Sequence, residues 1–196
     1  MPYKYELIRK LIHISNLIIP LLLFYYDRYF VLLVLVPISI VFIFFDYLRI
    51  NNHKISNFYN KCFSIITRDF ESNRLTGASY VFFSSSIIIY IFPKEIAILS
   101  LLIMSISDSM AAIIGQKYGK VKIFEKTLEG TAAFFLSSIL LLLLFKMQLF
   151  PGILAVIITT LVESSNFLSI DDNLSVPLSF SISYSTLAYL FNIGMI

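Results

Sequence analysis

The chain has 196 residues, 58% hydrophobic and only 14% charged, with a net charge of +3 and a mean hydropathy of +0.86. Soluble domains run at roughly 45–50% apolar and about 25% charged, so the composition excludes an ordinary water-soluble enzyme and points to one membrane-embedded domain, residues 1–196. The single cysteine, Cys62, excludes an intrachain disulfide, and no nucleic-acid partner is expected.

A spanning helix needs roughly 17–25 mostly apolar residues. Seven runs meet or approach that length: Leu11–Tyr26, Tyr29–Leu48, Ala78–Phe92, Ile96–Ile114, Leu128–Phe145, Gly152–Phe167 and Val176–Ile193. The predicted fold is therefore all-α and polytopic. The first run is read as a retained span, because Asp27-Arg28 follows it with no small-residue cleavage pattern. The third and sixth are short, which suits little tilt or a partly interfacial position.

Lysine and arginine set the orientation. When the spans alternate sides, Lys4, Arg9, Lys10, Arg49, Lys54, Lys61, Arg68, Arg74, Lys117, Lys120, Lys122 and Lys126 share one face. The other face receives Arg28, Lys94 and Lys146. The positive-inside rule makes the first face, with the N-terminus, cytosolic. The long polar segment between the second and third spans, about residues 49–76, then lies in the cytosol, and its mixed aromatic and apolar residues predict an amphipathic interfacial helix.

Polar residues inside the spans carry the functional signal, since charge in a membrane is costly and usually faces the protein interior. In the first helix Glu6, Arg9, Lys10, His13 and Asn16 form one stripe at i, i+3, i+4, i+7 and i+10. Snorkelling accounts for Arg9 and Lys10 but not for His13 and Asn16 continuing the line; a packing role for His13 stays open. In the fourth span Asp108 shares a helix face with Met104, Ala111, Ala112 and Gly115, small residues that let a helix or ligand approach the carboxylate.

The segment Gly115-Gln-Lys-Tyr-Gly119-Lys120, followed by Lys126, Thr127, Glu129 and Gly130, places glycines, cations and a hydroxyl ahead of the fifth span. That combination suits phosphate at a helix N-terminus, although the spacing is not that of a Walker A loop. Lys117 and Lys122 fit simple anchoring equally well. In the sixth span Thr159, Glu163 and Asn166 share a face, and Asp171, Asp172 and Asn173 precede the seventh. These three are either a capping turn or hard oxygen ligands of the kind Mg²⁺ takes beside phosphate oxygens.

The series Asp108-x-x-Ala111-x-x-x-Gly115-x-x-x-Gly119-Lys120, Lys126-Thr127-x-Glu129-Gly130, Glu163 and Asp172-Asn173-x-x-x-Pro177 resembles the polyprenol kinase family: dolichol kinases, phytol kinases and CTP-dependent diacylglycerol kinases. Glu6-x-x-Arg9-Lys10-x-x-His13 and Arg68-x-x-Glu71-x-x-Arg74 extend the resemblance over nearly the whole chain. It implies transfer of the γ-phosphate of a nucleotide, CTP first, to a lipid alcohol with a divalent cation such as Mg²⁺. The lipid classes it implies are a polyprenol or dolichol, a phytol-like isoprenoid and diacylglycerol. It maps the family's essential basic pair onto Arg9 and Lys10, and its aspartate and glycine onto Asp108 and Gly115. Thr127 replaces the family's usual serine, and the length fits the compact prokaryotic type.

Taken together, Asp108, Lys126 and Glu163 are expected to be catalytic, with Asp108 either a metal ligand or the acceptor of the hydroxyl proton. Arg9, Lys10, Arg68, Arg74, Gly115, Gly119, Lys120, Thr127, Glu129 and Gly130 are expected at the nucleotide, His13 and Asn16 at the lipid, and Asp108, Asp172 and Asn173 at the metal. CDP-diacylglycerol synthases resemble the same core, but their carboxy-terminal His-Gly-Gly segment has no counterpart here, where the histidines are His13 and His53. A proton-coupled transporter is the alternative of another class; its polar sites lie near the midplane of repeated halves, whereas these cluster at one face. The oligomeric state is not legible in the sequence.

Overall fold

The computed structural model describes residues 3–63, 74–124, 126–165 and 170–191, and each of the seven apolar runs is mainly helical where it is described. In chain order the helices are α1 (Tyr3–Ser15), α2 (Ile18–Tyr25), α3 (Arg28–Asn51), α4 (His53–Phe63), α5 (Gly77–Ile91) and α6 (Lys94–Leu102). A five-residue π-helical segment, Ile103–Ser107, carries α6 directly into α7 (Asp108–Tyr118). A two-stranded ribbon, β1 (Lys122–Ile123) and β2 (Lys126–Thr127), precedes α8 (Leu128–Leu144), α9 (Leu149–Ser165) and α10 (Asp172–Leu190). The described residues are all-α apart from that ribbon.

Among the described residues, three stretches are long and apolar enough to cross a membrane: Ile8–Tyr25, Arg28–Asn51 and Lys94–Tyr118. Gly77–Ile91, Leu128–Leu144 and Leu149–Ser165 are shorter apolar helices. Lys94–Tyr118 is the central rod, with 72% of its apolar window buried against 22% for Arg28–Asn51. Around it pack α2, α8 and α10, while α3 lies outside against α5. Ile96, Leu99, Leu101 and Ile103 of the rod meet Leu23, Ile88, Phe134 and Phe180 in the core. Outward-facing Leu33, Leu136, Leu144 and Leu190 leave the surface apolar too, which water disfavours and a lipid surround accommodates.

Two boundaries differ from the sequence reading. The first helix starts at Tyr3 rather than Leu11 and breaks at Asn16-Leu17, where Asn16 N–H and Leu17 N–H reach back three residues to His13 O and Ile14 O. The last helix starts at Asp172 rather than Val176, because the Asp171 carboxylate accepts the Asn173 N–H at 3.0 Å and caps it. The helix expected between the second and third spans is present as α4.

At the end of the bundle opposite Asp108, two cations close helix termini on each other's hairpins. Arg28 donates to Phe92 O at 2.9 Å, and Lys94 to Phe24 O and Tyr26 O at 3.3 and 3.2 Å. Each satisfies C-terminal carbonyls that have no helical partner and sits at the negative end of a helix dipole.

Candidate active site

The break at Asn16-Leu17 leaves α1 free to lie against α7, and this brings the first stripe onto Asp108. Lys10 Nζ forms a buried ion pair with Asp108 Oδ2, and the same oxygen lies 3.3 Å from His13 Nε2. The π segment contributes directly. The Asp108 N–H bonds Ile103 O, five residues back, and His13 Nε2 donates to Met104 O at 2.9 Å. Asn16 Nδ2 stands 3.5 Å from His13 Nδ1, so a proton on Nε2 satisfies both contacts. A π-turn inside an α-helix commonly marks a functional position, and this one ends on the carboxylate it presents.

A second cluster forms around Lys126. The ribbon pairs Lys122 with Thr127 and Ile123 with Lys126, and Phe124, at φ 53, turns the chain between them. It delivers the Lys126 ammonium to Glu163 Oε1 at 2.6 Å and Asp172 Oδ2 at 3.0 Å. Burial alone would lower the Lys126 pKa, but Asp172, Glu163 and Asp108 outweigh it and push the ammonium above the ordinary lysine value, so it is held charged.

Two cavities meet between these clusters. The first, about 310 Å³, runs from Lys10 and His13 toward apolar Ile12, Phe42, Phe45 and Val81. The second, about 270 Å³, lies between α7, α8 and α9 and is lined by Lys126, Thr127, Glu163, Gly115 and Gly130. Arg9, Lys10, Asp108 and Asp172 line both. The first has an aromatic and aliphatic wall beside its charged residues, the second is lined by charged and small residues, and the floor they share carries two cations and two carboxylates.

The glycines have a packing reason beyond any ligand. A Cβ on Gly130 would stand 2.8 Å from Ala111 O and 3.1 Å from Gly115 Cα, and one on Gly115 would stand 2.8 Å from Thr127 Oγ1. They let α7 and α8 touch backbone to backbone. Thr127 caps α8 by accepting the Gly130 N–H at 3.2 Å, and Glu129 holds the preceding loop by accepting Lys120 N–H at 3.0 Å. The Lys120 side chain is exposed, and Gly119, Lys120 and Glu129 lie outside both cavities. Arg74 is exposed with its carbonyl held by Arg49 at 2.5 Å. Arg68, Glu71 and Asn166 lie outside the described residues.

The carboxylates fit a hard cation. Among the described residues no group of three His, Cys, Asp or Glu is placed to hold a metal ion. Glu163 Oε2, however, is buried without a hydrogen-bond partner among them and lines the second cavity beside Asp108 and Asp172. One or two carboxylates, with phosphate oxygens and water completing the shell, is the pattern of Mg²⁺. Asn173, expected in that set, instead turns its amide to Gly77 O at 3.4 Å and lines the first cavity.

Sequence reasoning passed over Asp46 and Arg49. Both are buried, paired at 3.0 Å near the end of α3, and Asp46 lines the first cavity. The signal was available: an aspartate inside an apolar run with a cation at i+3.

No protein-family model and no solved structure matches the chain. It is 42% identical over 80 residues to the uncharacterized protein MJ1137 of Methanocaldococcus jannaschii, covering 39% of this chain and 40% of that one. It is 33% identical over 75 residues to the CTP-dependent diacylglycerol kinase 1 of Schizosaccharomyces pombe, covering 38% of this chain and about a third, 34%, of the kinase. That part-length match supports a distant relationship. With 34% identity over 198 residues, covering 96% of this chain and 97% of the other, the chain belongs to the same family as the uncharacterized protein RP860 of Rickettsia prowazekii.

Proposed function

We propose that the protein is a membrane lipid kinase, transferring the γ-phosphate of a nucleotide, CTP first, to the hydroxyl of a lipid alcohol. The observation that carries this reading is the shared floor of the two cavities: Arg9, Lys10, Asp108 and Asp172 stand between a cavity walled by Ile12, Phe42, Phe45 and Val81 and one lined by Lys126, Glu163 and the glycines. The distant similarity to a CTP-dependent diacylglycerol kinase supports the same chemistry. Seven spans with the N-terminus and the site at the cytosolic face complete the proposal.

The triphosphate binds in the second cavity, where Lys126, Arg9, Lys10 and the N-terminus of α8 offer positive charge. Glu163 and Asp172 are the residues that would hold Mg²⁺, which would supply charge neutralisation on the phosphates. The lipid enters the first cavity hydroxyl first, past Ile12 and Phe45. Lys10 is drawn from Asp108 toward the incoming phosphate, and the freed carboxylate takes the hydroxyl proton as the new P–O bond forms. The bond from the γ-phosphorus to the bridging oxygen breaks, and the nucleoside diphosphate leaves. Phosphoryl transfer of this kind is mostly positioning and charge stabilisation.

The test is transfer of label from CTP to a panel of lipid alcohols by purified protein in nanodiscs. Lipid labelled from the γ position is the expected result. Label from the α position means a cytidylyltransferase, and no label with any lipid or nucleotide removes the kinase reading. Topology has its own check, since Cys62 is exposed on α4. An impermeant thiol reagent should reach it from the cytosolic side of oriented vesicles only.

A further inference from the structure

Asp46 is buried as deeply as Asp108 and at the same end of the bundle, yet its surroundings are of another kind. Its Oδ1 takes Arg49 Nε at 3.0 Å. Its Oδ2 accepts the Thr76 N–H at 2.7 Å, the Thr76 hydroxyl at 2.9 Å and the Ser79 hydroxyl at 2.6 Å. Thr76 is the N-cap of α5, so a carboxylate from α3 caps the start of a neighbouring helix, where the dipole favours negative charge. With four donors on two oxygens, Asp46 has little capacity left to act as a base.

Arg49 extends the clasp. Its Nη2 donates to Arg74 O at 2.5 Å, and its guanidinium lies 4.9 Å from the Tyr59 ring centroid on α4. The pair therefore ties α3, α4 and the first residues of α5 into one geometry. Asp46, Tyr59, Thr76 and Gly77 all line the apolar cavity.

We infer that Asp46 and Arg49 are positioning residues for the lipid alcohol: they fix the wall of the apolar cavity at the start of α5, and so the depth at which the hydroxyl meets Asp108. The inference rests on the kinase reading. It predicts a specific kinetic split, since a wall residue touches one substrate and not the other.

Asp46→Asn keeps the side-chain shape and removes the charge that holds Arg49. The expected result is a rise of about tenfold in KM for the lipid, with the nucleotide KM changed by less than about twofold. The double variant Asp46→Asn/Arg49→Gln should be no worse than the more impaired single variant, because the two act as a unit. Hydrogen exchange in nanodiscs reads the clasp without any substrate: the Thr76 amide should exchange at least about tenfold faster in Asp46→Asn. Should Asp46→Asn fail to fold, Ser79→Ala removes one donor only and should shift both readouts the same way by less. Unchanged exchange at Thr76 overturns the clasp. Faster exchange with both KM values intact, or with both raised equally, overturns the positioning role. A wild-type protein that phosphorylates no lipid overturns the kinase reading and the kinetic part of this inference with it, while the exchange measurement still judges the clasp.

Discussion

Asp108 and Asp46 are both carboxylates set into apolar helices, buried to within a few per cent and paired with a cation. They differ in what else surrounds them. Asp46 is enclosed by an arginine, a backbone amide and two hydroxyls, and the set is complete within the protein. Asp108 faces Lys10 and His13 on the floor of two cavities, with Glu163 and Asp172 lining the second beside it. Burial of a charge in a membrane helix therefore does not by itself distinguish a reacting group from a clasp. Both line the first cavity; the difference lies in partners that another ligand can draw away.

Removing each charge should separate the two in opposite directions. Asp108→Asn should lower kcat/KM by about 10³–10⁴-fold through loss of the proton acceptor and the local charge, read as label transfer per folded protein in detergent. Asp46→Ala should be mainly a stability variant. Breaking a buried pair leaves Arg49 without its anion and costs about 3–5 kcal/mol, read as a lower Tm, with a smaller loss of activity in the protein that remains folded. A larger activity loss at Asp46 than at Asp108 would reverse the assignment.

Lys126→Met tests whether the ionic cavity serves the nucleotide. It should reduce kcat/KM for CTP by about 100-fold, and the effect should be weaker with respect to the lipid KM. Gly130→Ala asks how much of the glycine pattern is packing. With Ala111 O only 2.8 Å from the new Cβ, α7 and α8 must part, at about 1–3 kcal/mol, visible as a Tm loss before any nucleotide is added. The opposite end of the bundle supplies the smallest effects. Arg28→Ala and Lys94→Ala each remove a C-terminal cap worth under about 1 kcal/mol and should leave label transfer unchanged.

Helix content was legible in the sequence because each span writes its own signal: a long apolar run needs no partner to be recognised. The stripe Arg9, Lys10, His13 and Asn16 and the isolated Asp108 were legible for the same reason, as polar residues against an apolar background. What tertiary structure decided was who meets whom. The ion pair between Lys10 and Asp108 joins residues 98 positions apart, and the one between Lys126 and Glu163 joins residues 37 apart; no local period encodes either. The Asp171 cap starts α10 at Asp172, and the Asn173 amide turns to Gly77 O. The break at Asn16-Leu17, the π segment before Asp108 and the ribbon that carries Lys126 are short departures from regular helix. Each costs local hydrogen bonding that only long-range contacts can offset, so each is set by the packed bundle and not by the residues that form it.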